Sequence, residues 1–315
     1  AIVAACGLAA PGSARAQAVQ LVDGRMPPPT AGDGASGDNF GIATVVDGEY
    51  AVVGAYGDTS VAAGITFGIS QGSASVFQRV GNAWLLRQKI LPQPDGEDGD
   101  NFGVSLASAG DLLAIGAPRR GTPDAPEAGG VFLYQRVGSS YQQPQLLLAD
   151  IPAADERFGA AVALWQDQLA VGVPGADAVR IYRHLGDGVF QFQRSLVPLD
   201  GVAGARFGAT LALAGGDLLI GAPQANGAGA VYSSSFVGTA WSDAQRVPVP
   251  VVAQSELGSA LAIDNAIALV GSPGAGAGEV RVLGKSGGAW SVLGSLPTTG
   301  LVAGDRFGSA LALGA

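Results

Sequence analysis

The 315-residue sequence has very few of the side chains on which catalytic and metal sites most often depend. It contains one cysteine, one histidine and one methionine. Cys6 alone cannot form an intramolecular disulfide, and His184 alone cannot build a histidine-based zinc cluster. His184 stands just before a predicted turn, where an exposed loop histidine is the expected role. The sequence therefore offers little support for catalysis.

Charged side chains are also scarce, at 14 % of the chain, and they are unbalanced in sign. There are 17 Lys and Arg against 26 Asp and Glu, which gives a formal net charge of −9. Such a surface repels phosphate backbones, and Arg119-Arg120 is only a pair, so we expect no nucleic-acid partner. After residue 18 no apolar run approaches the roughly 20 residues of a membrane helix, so we expect no membrane span in this chain.

Glycine, in contrast, is abundant, with 50 residues beside 18 prolines. These residues follow no collagen-like period, so we interpret them as turns between many short strands. Apolar types make up 48 % of the chain, which is enough for a large core and excludes global disorder.

Residues 1–18 differ from the rest of the chain. Residues 1–10 are apolar, Pro11-Gly12 follows, and small residues recur in Ala14–Ala18. This resembles a secretory signal peptide without its N-terminal part, and the alternative is a buried N-terminal strand or helix. Val3–Cys6 also resembles a lipoprotein acylation site, although the apolar stretch continues past it. We expect residues 19–315 to form the mature protein, secreted or located at the cell surface or in the periplasm.

One unit of about fifty residues recurs along the chain. Each copy begins with a Phe-Gly anchor, replaced once by Leu-Gly, and successive anchors lie 62, 56, 49, 50 and 50 residues apart. A second anchor, Gly-Ala-Pro or a close variant, begins 14 residues after the Phe or Leu in the first five copies. The first anchors begin at Phe40, Phe102, Phe158, Phe207, Leu257 and Phe307, and the second at Gly54, Gly116, Gly172, Gly221 and Gly271.

Each unit is predicted to contain four strands. Large and small residues alternate after the first anchor, a Gly, Asp or Asn turn follows, and the proline of the second anchor ends the second strand. The third strand follows a loop of variable length, and a turn that ends in an aromatic residue introduces the fourth. Four antiparallel strands in about fifty residues are typical of one β-propeller blade. The aromatic residues after the last turn are Trp84, Tyr141, Phe190, Trp241 and Trp290.

Together, the two anchors and the strand between them resemble the FG-GAP repeat of integrin α subunits and of many bacterial exported proteins. The resemblance covers residues from about 38 to 315. It implies an all-β fold, a β-propeller of four-stranded antiparallel blades, with five complete units and a partial sixth, as in a fragment of a seven-bladed ring. Residues Ala18–Val22 match the end of a unit, so we expect the mature N-terminus to supply the outer strand of the last blade.

Integrin-type FG-GAP blades often hold Ca²⁺ in an Asp-rich loop between the two anchors. Here the constant 14-residue spacing leaves room only for a hairpin turn, so we do not carry over the calcium sites and predict no metal and no cofactor. A separate acidic run, Asp95–Asp100, carries four carboxylates. It is either a Ca²⁺ loop or a solvated connection whose last aspartate bonds backbone N–H groups.

The remaining candidates for chemistry also have structural interpretations. Ser233–Ser235 lie in a predicted third strand without a repeated base nearby, so we interpret them as a hydroxyl-rich strand. The sequence leaves glycoside hydrolysis by a distant carboxylate pair open. Trp84, Trp241 and Trp290 fit either stacking on a carbohydrate or packing between blades, and their repetition favours packing. Trp165 breaks the pattern and is expected near an exposed turn.

Ligand-binding residues are expected on the loops that differ between blades. The loop after the second anchor is long in the first two units, Gly57–Gly72 and Arg119–Gly129, and short in the next three. We expect both long loops side by side on one face with the connections between blades, unless they are merely tolerated insertions. The candidate binding residues are Asp58, Arg119, Arg120, Asp124 and Glu127.

These observations favour an exported, non-catalytic recognition or adhesion module for a protein or glycan ligand. One alternative is an enzyme, a hydrolase or lyase, that uses the central cavity of a propeller. The other is an architectural spacer in a larger surface protein.

Overall fold

The protein is described by a computed structural model that covers residues 37–62, 65–67, 71–92, 99–186 and 189–313. Its regular elements are strands, apart from a short 3₁₀ turn at Ala225–Gly227. The all-β fold class predicted from the sequence is therefore confirmed. The predicted signal peptide, Cys6 and the Ala18–Val22 strand lie outside the described residues, and so do Asp95, Glu97 and Asp98.

The chain divides into two compact units, and the first, Arg25–Leu196, contains three four-stranded antiparallel sheets. Each sheet uses the four strands of one repeat, in chain order from the first strand to the fourth. The first repeat also has an extra two-stranded hairpin in its long loop. In chain order the strands are β1 (Thr44–Asp47), β2 (Tyr50–Ala55), β3 (Ser60–Ala62), β4 (Ile65–Phe67), β5 (Ser73–Val80), β6 (Ala83–Ile90), β7 (Ser105–Ala109), β8 (Leu112–Ala117), β9 (Gly130–Val137), β10 (Ser140–Leu147), β11 (Val162–Trp165), β12 (Gln168–Val173), β13 (Ala178–His184) and β14 (Phe190–Leu196).

The second compact unit, Val197–Ala315, contains two further sheets of the same order. In the fourth sheet the outer strand is broken into two short pieces that both pair with the third strand. The strands of this unit are β15 (Thr210–Ala214), β16 (Asp217–Ala222), β17 (Ala230–Val237), β18 (Ala240–Trp241), β19 (Gln245–Arg246), β20 (Ala260–Asp264), β21 (Ile267–Ser272), β22 (Glu279–Ser286) and β23 (Ala289–Ser295).

The two anchors of the repeat are where neighbouring blades come closest together. The anchor glycine at the end of one blade's second strand packs directly on the Phe-Gly glycine of the next blade. A Cβ placed on Gly116 would lie 2.1 Å from the carbonyl oxygen of Gly159, and one on Gly221 would lie 2.2 Å from that of Gly258. Only glycine fits such an approach, which is why both anchors contain it.

The anchor phenylalanines form the core at each junction. Phe102, Phe158 and Phe207 are fully buried. Each lies edge-on to an aromatic ring in the third strand of its own blade: Phe102 meets Phe132 at 5.1 Å, and Phe207 meets Tyr232 at 5.1 Å between ring centroids. Phe40 is 41 % exposed and lies edge-on to Phe77 of its own blade.

Three of the five repeated aromatics after the last turn pack one blade against the previous one. Tyr141 and Phe190 join clusters with residues of the preceding blade, and Trp290 does so in the second unit. Trp84 instead packs within its own sheet, and Trp165 is half-buried. Trp241 and Trp290 are buried, whereas Trp84 is half-buried.

The sixth repeat begins as the others do. Phe307 pairs with Gly278 of the fifth blade, and Leu311 and Leu313 pack on its core. Ser309–Leu313, however, form no strand. In each complete blade the first strand pairs only with the second, and these residues have no such partner among the described ones.

Candidate binding site

The long loop of the second blade lies against the connection that enters the third blade. Asp155 N–H donates to Pro126 O (2.9 Å), Arg157 N–H to Glu127 O (2.9 Å) and Phe158 N–H to Ala128 O (2.9 Å). The loop and the connection therefore pair side by side. This pairing brings charged side chains from two blades together.

Glu127 binds two arginines, one from each side of this junction. Arg119 contacts Oε1 through Nε (2.9 Å) and Nη2 (2.8 Å), and Arg157 contacts Oε2 through Nε (3.1 Å) and Nη2 (2.9 Å). The Glu127 side chain is 21 % exposed, whereas those of Arg119 and Arg157 are 53 % and 42 % exposed. We refer to Arg119, Glu127 and Arg157 as the arginine cluster.

The backbone at this junction is unusual for the residue types that it carries. Glu127 has a φ of +51°, and the equivalent positions in the fourth and fifth blades are Gly227 and Gly276. Asp155 has a φ of +61°, and the equivalent positions in three other units are Gly99, Gly204 and Gly304. Glycine adopts this conformation without steric cost, and other residues pay about 1–2 kcal/mol.

The ion pairs of Glu127 bring little net stability to this position. Each of the two pairs contributes about 0–1 kcal/mol at an exposed site, which about offsets the left-handed backbone cost of about 1–2 kcal/mol. Strained non-glycine residues concentrate at functional sites. The arginine cluster is therefore the best candidate for a binding site in this part of the chain.

Asp58, predicted as a binding residue, is not available to a ligand. It is only 5 % exposed, and it pairs with Lys89 (Oδ2–Nζ 2.7 Å) and accepts a hydrogen bond from Ser73. A turn that closes from Asp58 N–H to Ala55 O directs the side chain beneath the loop. Asp58 is therefore buried in an ion pair and does not stand exposed on the loop, as the sequence had predicted for it.

Arg120 occupies the equivalent position in the second blade and also points inward. Its guanidinium lies 5.7 Å from the centroid of the Phe132 ring and 3.4 Å from the Asp100 carboxylate. Asp100 is 2 % exposed, so this arginine neutralises a buried charge. Arg120 therefore belongs to the core of the junction, while its neighbour Arg119 faces solvent. Asp124 is exposed at the tip of the same loop.

Sequence reasoning found Arg119 and Glu127 and missed Arg157. Arg157 precedes the third Phe-Gly anchor, a position that holds Asn39, Asn101, Arg206, Glu256 or Arg306 in other units. All six have φ values between +54° and +57°. The residue before the anchor keeps one backbone conformation but varies in charge from unit to unit, and this variation could have identified Arg157 from the sequence.

The family comparison agrees with this geometry. A model of the FG-GAP repeat matches residues 30–77, 84–134 and 190–233. The chain carries FG-GAP repeats. Their blades assign the fold to the β-propellers, as the sequence predicted.

Solved structures with the same fold come from several bacteria. A protein from Lactobacillus plantarum matches at a TM-score of 0.53 with 15 % identity, covering 80 % of this FG-GAP chain and 68 % of its own. A "putative 6-phosphogluconolactonase" from Bacteroides uniformis matches at 0.55 with 11 % identity, covering 82 % and 72 %. One so described from Bacteroides fragilis matches at 0.52 with 11 % identity, covering 82 % and 71 %. These identities show a shared fold alone. No curated protein matches the sequence.

The turns between the two FG-GAP anchors contain two residues each, such as Gly110-Asp111 and Gly215-Gly216. Within the described ranges, no group of three or more His, Cys, Asp or Glu side chains lies close enough together to hold a metal ion. Over the same ranges, no helix is both long and apolar enough to cross a membrane.

One hydroxyl of the serine-rich strand does have a basic neighbour in this FG-GAP chain. Ser235 Oγ donates to Asp217 (2.6 Å), and Lys285 Nζ lies 3.3 Å from Ser235 and also binds Asp217. The trio links the fourth and fifth blades through these contacts.

Proposed function

We propose that this protein is an exported, non-catalytic recognition module that binds its partner through the arginine cluster. The observation that carries the proposal is Glu127, a charged residue in a left-handed conformation that positions two exposed arginines from adjoining blades. A carboxylate that holds both guanidinium groups removes much of their side-chain freedom before a ligand arrives.

Recognition agrees with the way in which the scaffold is built. The anchors, the ring pairs and the junction glycines are internal, and the arginine cluster lies on the one long loop whose side chains are described. Loops on a rigid scaffold are the usual carriers of binding residues. The lactonase description of two structural neighbours is not carried over, because at 11 % identity only the fold is shared.

The proposal is tested by probing glycan arrays and extracellular-protein arrays with the purified chain and with an Arg119→Ala/Arg157→Ala variant. We expect the variant to lose most of the signal of any specific ligand, since both side chains face solvent. Arg183→Ala is the matched control, because Arg183 is 51 % exposed and pairs with Asp167 in the same unit. Binding that survives in the double variant, or that falls equally in the control, would contradict the assignment.

A further inference from the structure

The donor groups of the arginine cluster point to the chemistry of its ligand. Each guanidinium uses its Nε and Nη2 atoms on one oxygen of Glu127. Among the described residues, neither Nη1 group has a hydrogen-bond partner. We propose that these groups bind the carboxylate of a single acidic residue in a peptide segment of a partner protein. This inference rests on the proposed function and names the ligand of the same site.

A carboxylate suits the arrangement because planar guanidinium groups bind planar oxyanions through paired N–H donors. Both arginines bind the same Glu127 carboxylate, Arg119 at Oε1 and Arg157 at Oε2. The Nη1 group of each guanidinium remains as a further donor. Two arginines and one glutamate leave a charge of +1. One ligand carboxylate brings this charge to zero.

Runs of negative charge do not suit the site. The protein has a net charge of −9, and Asp124, Asp150 and Asp155 are exposed on the same loop and connection. These carboxylates repel a polyanion such as nucleic acid or a sulfated or uronic-acid polysaccharide. A single carboxylate between neutral or basic neighbours gains the arginine contacts and meets less of that repulsion than a polyanion does.

The surroundings of the cluster favour a peptide over a sugar. Neither the loop 118–129 nor the connection 148–157 contains an aromatic residue on which a sugar ring could stack. The connection does present apolar side chains, since Leu148 and Ile151 are 45 % and 85 % exposed. A peptide can place an apolar side chain there while its acidic residue binds the arginines.

The test is an array of peptides that each carry one Asp or Glu, every peptide spotted beside its Asn or Gln twin and probed with the purified chain. We expect the strongest peptides to bind about tenfold or more tightly than their amide twins, as loss of a charge-assisted pair implies. Arg119→Ala and Arg157→Ala should each weaken these peptides about tenfold. Arg183→Ala should leave them within about twofold, because its ion pair lies outside the cluster.

Equal binding of the amide twins would overturn the inference, and so would an array without any binding peptide. Tighter binding of hyaluronan oligosaccharides than of any peptide would do the same and would assign the site to an acidic glycan. In that last case, dependence on Arg119 and Arg157 would leave the proposed function intact. A peptide ligand whose binding ignores both arginines would refute the proposed function and the inference together.

Discussion

At the scale of single residues, this repeat fixes backbone conformation more strictly than residue type. The third residue before each Phe-Gly or Leu-Gly anchor has a positive φ in all six units. Glycine occupies four of these positions, but the third and fifth units use Asp155 and Gln254. Asp155 adjoins the arginine cluster, whereas Gln254 is an exposed residue of the second compact unit.

Gln254→Gly should therefore stabilise the protein. The substitution removes the left-handed strain of about 1–2 kcal/mol, and the extra freedom of glycine in the unfolded chain cancels about 0.5–1 kcal/mol of that gain. We expect the free energy of unfolding to rise by about 0.5–1 kcal/mol, measured by urea denaturation.

The matched control is Gly204→Ala in the same compact unit. Gly204 has a φ of +68°, and an added Cβ would meet nothing within 4 Å, so only backbone strain changes. This variant should lose about as much stability as Gln254→Gly gains. Two changes of the same sign would show that local strain does not govern this position.

At the scale of elements, side-chain amides join the outer strand of one blade to the next blade. Gln88 on β6 accepts from Tyr141 N–H (2.8 Å) and donates to Tyr141 O (3.0 Å). Gln145 on β10 does the same with Phe190 N–H (2.7 Å) and O (3.2 Å). Each amide thus continues the neighbouring strand's hydrogen bonding and fixes the aromatic residue that packs between the blades.

Gln145→Glu should weaken the junction between the second and third blades. A carboxylate still accepts from Phe190 N–H, but it cannot donate to Phe190 O and instead places negative charge against it. We expect a loss of about 1–2 kcal/mol at pH 7, measured by urea denaturation. The loss should shrink near pH 4, because the protonated acid regains a donor.

Gln142→Glu provides the control, since Gln142 lies on the same strand and is exposed. It introduces the same charge and should change stability by less than about 0.5 kcal/mol. Equal losses in the two variants would mean that the added charge, and not the lost hydrogen bond, destabilises the protein.

The elements themselves could be predicted from sequence because their signals are local. The 14-residue spacing sets two strands joined by a two-residue turn, and alternation sets their buried faces. The inward direction of Asp58 and Arg120 could not be predicted, because both follow an anchor by the same number of residues as the exposed Ala176. Their side chains turn inward to meet Lys89 and Asp100, which are distant in sequence. The Arg119–Glu127–Arg157 contact likewise depends on pairing between two blades.

At the scale of the whole molecule, packing between neighbouring blades of the repeat holds each compact unit together. Each blade's first strand and anchor lie on its neighbour, so the core continues from blade to blade within each compact unit. In the described ranges, every turn between the anchors has two residues, whereas Ca²⁺ requires six to eight oxygen ligands. We therefore expect no contribution to stability from ions bound at these turns.

Removal of divalent cations should leave the stability of the protein unchanged. An ion that binds only the native state raises Tm by an amount that grows with its concentration relative to its Kd. Because we expect no such ion, Tm in excess EDTA and in millimolar CaCl₂ should agree within about 1 °C. Thermal unfolding followed by circular dichroism measures both. A higher Tm in CaCl₂ would contradict the prediction. An Asp95→Asn/Asp98→Asn variant would then locate the site. If the variant no longer showed the rise in Tm in CaCl₂, the ion would bind at the acidic run before the second blade.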